Sequence, residues 1–165
     1  MAQITDPQKL FQHELGTALG AERKVLATLR KMEQKAQRDQ LKQQFHHHLE
    51  ETEGQIRNLE QALEAVGAPR GAHDAESANG IAAEGEKLME KVGDELIDAV
   101  LLGAAAKTEH VEIAMYEGLI NKASAMGAED VVGLLEENLE QEKHTLEEVR
   151  TASQQVSNEL ATQAA

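Results

Sequence analysis

The sequence predicts an all-α protein, a bundle of four main helices arranged as two antiparallel hairpins. Three observations predict it. Apolar residues recur at the i, i+3, i+4, i+7 spacing of a helix through four long segments. Ala, Glu, Leu, Gln and Lys dominate, with only two Phe, one Tyr, no Trp and two Pro, which favours helix and gives strands little to pack. The breaks between the segments run short, long, short along the chain.

The first helix is expected over about 6–35. Asp6 before Pro7 is a start signal, because Pro at the first helical position gives up no hydrogen bond. Its apolar stripe is Phe11, Leu15, Ala18, Leu19, Val25, Leu26 and Leu29. The second is expected over 39–66, with Leu41, Phe45, Leu49, Ile56, Leu59, Leu63 and Val66 as its stripe. Gly67 followed by Pro69 stops it. Gly67–Gly71 and Ala78–Gly80 then interrupt the pattern, and 81–92 reads as a short extra helix. The third main helix covers 94–126 and ends at Gly127, with Ile97, Val100, Leu101, Ala104, Val111, Met115 and Leu119 as its stripe. The fourth covers 130–160 with Leu135, Leu139, Leu146 and Val149 inward, and the tail 161–165 reads as frayed.

Loop lengths set the topology. A few residues join the first helix to the second, and the third to the fourth, so each pair must be antiparallel neighbours. About two dozen residues join the hairpins, enough to run the length of a bundle. Two tight hairpins with one long crossover containing a short extra helix is the ferritin-like four-helix arrangement. The whole chain, 1–165, reads as a single such domain.

Thirty acids against sixteen basic residues give a formal net charge of −14. That surface repels a phosphate backbone, so no nucleic-acid partner is expected. The chain has no Cys, which excludes disulfides and thiolate metal ligands. The segment from Met1 to Leu10 is polar, and neither an export signal nor a membrane span is read. The expected location is the cytoplasm.

Some acids fall where apolar residues belong. At about 100° per residue, Glu22 lies at the centre of the first stripe, among Leu15, Leu19, Leu26 and Leu29. Glu142 lies at the centre of the fourth, and Glu112 close to the centre of the third. Axial level agrees. Glu22 and Glu51 are equidistant from the first turn, between Ala36 and Gln37, and Glu112 and Glu142 are centred on Gly127. Burying a bare carboxylate costs several kcal/mol, roughly. No Lys or Arg shares the inner stripe at that level, so a pair of metal ions held by the carboxylates is the better answer.

The second helix leaves a choice. Glu51 sits at the edge of its stripe, whereas His48, Thr52 and Gln55 lie nearer the centre. His48, Glu51 and Gln55 could all reach one site, although His48 taken alone reads as a boundary histidine with a water or backbone partner. Glu109 sits one turn before Glu112 at the edge of the third stripe and is a candidate extra ligand. In the di-iron bundle a His follows each of two Glu by three positions. Here those positions are Gly54 and Thr145.

Several segments resemble the YciE/YciF family of ferritin-like proteins: F-x-H-E-L at Phe11–Leu15, A-E at Ala21-Glu22, H-L-E-E-T-E-G-Q-I-R-N-L-E at His48–Glu60, E-H-V-E-I-A-M-Y at Glu109–Tyr116 and L-L-E-E-N-L-E-Q-E-K at Leu134–Lys143. The resemblance implies a ferritin-like bundle, a homodimer, a bacterial stress-associated role and a di-metal carboxylate centre with Glu22, Glu51, Glu109, Glu112 and Glu142. The family commonly carries an Asp and a Tyr shortly before the A-E pair, where this chain has Thr17 and Leu19. Tyr116 is the remaining phenol. The residues and the resemblance together lead to a protein holding two iron or manganese ions and acting on a small oxidant, dioxygen or peroxide. The alternative is a non-catalytic dimeric bundle whose metal is structural or adventitious.

Overall fold

The computed structural model describes residues 3–163. Five α-helices carry the fold: α1 (Pro7–Lys35), α2 (Asp39–Ala65), α3 (Glu76–Met89), α4 (Ile97–Ala125) and α5 (Glu129–Gln163), with a 3-10 turn at Asp94–Leu96 before α4. The expected all-α, ferritin-like bundle is present. α1 pairs with α2 and α4 with α5, while α1 packs on α4 and α2 on α5.

Direction follows from which ends meet. At one end of the bundle Phe11 and Leu15 of α1 pack with Leu59 and Leu63 of α2, Leu119 and Ala123 of α4, and Val131 and Leu135 of α5. At the other, Val25 and Leu29 meet Leu41, Phe45, Leu101, Leu102, Val149 and Val156. α2 and α4 therefore run the same way, and the chain leaving α2 must cross the whole bundle to begin α4. The start and stop signals work as read. The Asp6 carboxylate accepts from the Gln8 amide at 2.9 Å, and Gly67 and Gly127 take φ of +66° and +71°, which favours glycine.

The crossover differs from expectation at both ends. Its helix runs Glu76–Met89 rather than 81–92. Gly80 lies inside it on an outward face where nothing approaches, so it costs propensity without breaking the helix. Only Ala78 is buried, so α3 leaves little periodic signal in the sequence. The strand of chain before it is held tightly on α1. The His73 amide donates to Gly16 O at 2.9 Å, and its ring stacks on His13 with centroids 4.4 Å apart. A Cβ on Gly20 would stand 1.8 Å from His73 O. At the far end α5 continues to Gln163, so 161–163 are helical rather than frayed, and the last two tail positions lie outside the described residues.

Asp98 carries a role the sequence did not announce. It is 1% exposed and accepts from the amides of Gln37 (2.7 Å) and Arg38 (3.2 Å) in the α1–α2 turn. It also takes the Arg38 guanidinium at 2.9 Å, whose other nitrogen reaches Glu159 of α5 at 2.6 Å. One carboxylate thus ties three segments at that end.

Two substitutions test these contacts by thermal unfolding. Gly20→Ala has no room beside the His73 carbonyl and is expected to cost about 1–3 kcal/mol, more than Gly118→Ala, which meets nothing. Asp98→Ala leaves two part-buried amides and the Arg38 guanidinium without their acceptor and is expected to cost about 1–3 kcal/mol.

Candidate metal centre

Between the two apolar clusters lies a polar layer. Glu22 of α1, His48, Thr52 and Gln55 of α2, Glu109 and Glu112 of α4, and Asn138, Glu142 and Thr145 of α5 are all at most 4% exposed. Each main helix contributes because its inward stripe is interrupted there by polar residues. On α4 that stripe is turned from the expected one. Its buried line is Leu101, Leu102, Ala105, Glu109, Glu112, Tyr116 and Leu119, while Val111 is 36% exposed. α4 has a second apolar face, Val100 and Ala104, turned to α3. Averaging both faces moved the apparent centre away from Glu109. Glu109 is therefore not an edge residue but is 1% exposed.

The geometry brings most of the candidates together. One donor atom from each of His48, Glu109, Glu112 and Glu142 lies within 4.8 Å of the others. His48 stands between two acids, its Nδ1 3.6 Å from Glu109 and its Nε2 3.7 Å from Glu142. Glu22 faces Glu112 and Glu142 from α1, and Gln55 stands beside Glu142. Glu51 is set apart at the rim. Its side chain is 17% exposed, 3.5 Å from His47 Nε2, and accepts from Thr145 Oγ1 at 3.5 Å.

A hydrogen-bonded flank supports one side. The Tyr116 hydroxyl donates to Glu22. Asn138 Nδ2 donates to Tyr116 Oη at 3.1 Å and to Gln55 O at 3.3 Å, and its Oδ1 accepts from Asn58 Nδ2 at 2.8 Å. Asn138 was missed in the sequence. The available signal was its place one turn before Glu142, a polar residue on a leucine stripe.

On the open side the donors lack partners. The second oxygen of Glu22, both oxygens of Glu109, Glu112 and Glu142, the Nε2 of His48 and both amide atoms of Gln55 are buried without a hydrogen bond. Such atoms are costly unless something coordinates them. Oxygen donors with a single imidazole suit hard or borderline ions such as manganese and iron. The residues therefore fit a metal centre.

Without metal, the charges must be shared. Burial pushes the carboxyl of Glu22 well above its ordinary 4.5, and the nearby Glu142 charge adds to this. Burial also raises Glu109 and Glu112, helped for Glu109 by Glu142 and for Glu112 by Glu22. Burial opposes ionisation of Glu142 too, but the approach of His48, Glu109 and Gln55 outweighs it and holds that carboxyl below the ordinary value. Burial and Glu22 raise the Tyr116 phenol, which keeps it a proton donor.

The sign for stability follows. A carboxyl raised in the folded state contributes its full stability below the unfolded value of 4.5 and loses it as pH rises toward the folded value. In metal-free protein, Glu112→Gln is expected to raise the unfolding free energy at neutral pH by on the order of 1 kcal/mol or more. The gain should shrink toward zero as denaturation is repeated near pH 4.5. A gain of equal size at both pH values would contradict the assignment.

Comparison with known proteins places this arrangement in a family. A family model described as a domain of unknown function, DUF892, matches residues 6–162. The chain is 34% identical to protein YciF of Escherichia coli (strain K12) over 140 residues, 84% of each chain. It superposes on the crystal structure of the E. coli stress protein YciF with a TM-score of 0.88 at 31% identity, covering 94% of this chain and 99% of that one. YcfI from Rhodopseudomonas palustris matches with a TM-score of 0.87 at 30% identity, covering 90% of this chain and 96% of that one. A protein from Xanthomonas campestris pv. campestris, at 19% identity, shares the fold with a TM-score of 0.77, covering 96% of this chain and 99% of that one. Matched by the family model over nearly all its length, the chain belongs to the DUF892 family.

Proposed function

We propose that the protein is a stress-associated, ferritin-like protein that holds a pair of iron or manganese ions among its core carboxylates and acts on dioxygen or peroxide. The observation that carries this is the convergence of unpartnered donors from four helices on one buried layer. Bound there, the ions supply electron exchange with the oxidant.

The protein's own residues have separable tasks. Glu109, Glu112, Glu142 and His48 face one another closely enough to share an ion. Glu22, across from Glu112 and Glu142, extends the donor set toward a second ion. Its hydrogen bond from Tyr116 fixes its orientation, as partners of ligating carboxylates commonly do. Glu51, its side chain 17% exposed at the rim and next to His47, would pass ions inward. The stress association rests on the likeness to E. coli YciF. We also propose a cytoplasmic homodimer. Among the described residues no helix is long and apolar enough to cross a membrane. Leu88 and Leu96, 46% and 37% exposed beside an apolar groove of about 310 Å³ between α3 and α4, supply a surface for a second copy.

Metal analysis of protein purified without chelator tests the centre. Wild type is expected to carry about two iron or manganese ions per chain. Glu22→Ala and Glu142→Ala should lower that content while remaining helical by circular dichroism. A wild type that stays metal-free after incubation with ferrous or manganous salts would sink the reading.

A further inference from the structure

We propose that a small apolar cavity beneath the crossover helix is a dioxygen-binding passage that ends at the His48–Glu109 side of the metal centre. This rests on the metal-centre reading above and deepens it, by naming dioxygen rather than peroxide as the oxidant and by giving its route.

The cavity has a volume of about 30 Å³ and is enclosed by α1, α3 and α4, with His48 of α2 at its inner end. Its outer mouth is formed by half-exposed Lys24, Ile81 and Ala82. At its inner end lie His48 and Glu109, 4% and 1% exposed. Between them the walls are Val25, Leu29, Met32, Ala78 and Ala105. One water needs about 10–15 Å³ of such space, so the passage admits molecules of that size and little more.

Its chemistry selects among small molecules. Two hydroxyls border it, and both are turned to their own helices. Thr28 Oγ1 donates to Lys24 O at 2.9 Å, and Thr108 Oγ1 donates to Ala104 O at 3.1 Å. Neither offers its proton to a guest. Hydrogen peroxide and water, each needing several hydrogen bonds, lose most of them along this wall. Dioxygen is uncharged and apolar, and has no such bonds to lose. The narrow width depends on small residues, with Ala78 and Ala82 of α3 facing Ala104 and Ala105 of α4. α3 therefore does more than connect the hairpins, because it roofs the way in.

The route also lies apart from the polar one. Glu51 and His47 open the layer at α2 beside Thr145 of α5, whereas the apolar cavity lies under α3. Ions and gas would reach the same residues from separate directions.

Xenon serves as the probe, since it occupies dry apolar cavities. In the metal-free full chain, xenon is expected to shift the amide signals of Leu29, Ala78 and Ala105. Ala105→Leu should abolish those shifts by filling the space, and Leu29→Ala should enlarge them. With ferrous iron loaded, Ala105→Leu should slow oxidation by dissolved dioxygen roughly tenfold at unchanged iron content. No xenon response at these residues would overturn the proposal. So would an undiminished dioxygen rate in Ala105→Leu, or equal slowing toward hydrogen peroxide. If Ala105→Leu does not fold, the opposite response of Leu29→Ala still decides. A chain that takes up neither iron nor manganese defeats the metal-centre reading, while metal uptake without xenon binding defeats only the passage.

Discussion

A carboxylate removed from water must be protonated, paired with a cation or coordinated. Four glutamates in the middle of this bundle face that requirement together, and among the described residues the His48 imidazole, the Tyr116 phenol and the Gln55 amide stand against them. The rest of the structure follows from how the requirement is met. Burial first and the neighbouring carboxylates second drive three of the carboxyls toward the protonated form, while His48, Glu109 and Gln55 hold that of Glu142 below its ordinary value. A metal ion would answer the same requirement more completely, by coordinating carboxylate oxygens that are otherwise left without a partner.

The surrounding structure is arranged to withstand this layer. An apolar cluster sits on each side, one built on Phe11, Leu59 and Leu135, the other on Phe45, Leu101 and Val149. Burial of these side chains opposes the cost of a polar middle. The far ends are pinned by different means. At one, Gly67 and Gly127 let the chain leave its helices in the left-handed region. At the other, Asp98 joins the α1–α2 turn to α4 and, through Arg38, to α5. Tyr116 and Asn138 then stiffen one flank of the layer and leave the opposite flank to the donors.

The bundle was legible because its long helices obey one period and its loops differ plainly in length. Glu22, Glu112 and Glu142 were legible for the same reason, as acids on stripes of Leu. The difficulties were local. Glu109 looked peripheral because α4 packs on two sides, and a helix with two apolar faces has no single stripe. His48 looked ambiguous because a lone histidine has several possible partners, and only the docking of α4 and α5 against α2 supplies Glu109 and Glu142. The start of α3 was hidden by Gly80, which lies on a face that packs on nothing. Asp98 gave no local signal, since its partners lie about sixty residues away in the chain.

The long crossover has a consequence for assembly. The first hairpin brings Glu22, His48 and Gln55, and the second brings Glu109, Glu112 and Glu142, so neither holds a complete donor set. Each hairpin can form from contacts close in sequence, but the centre exists only after the slower, non-local docking of one upon the other. An ion bound there would act as a clasp between two half-molecules. The occupancy of the centre and the integrity of the fold would then be two readings of a single equilibrium.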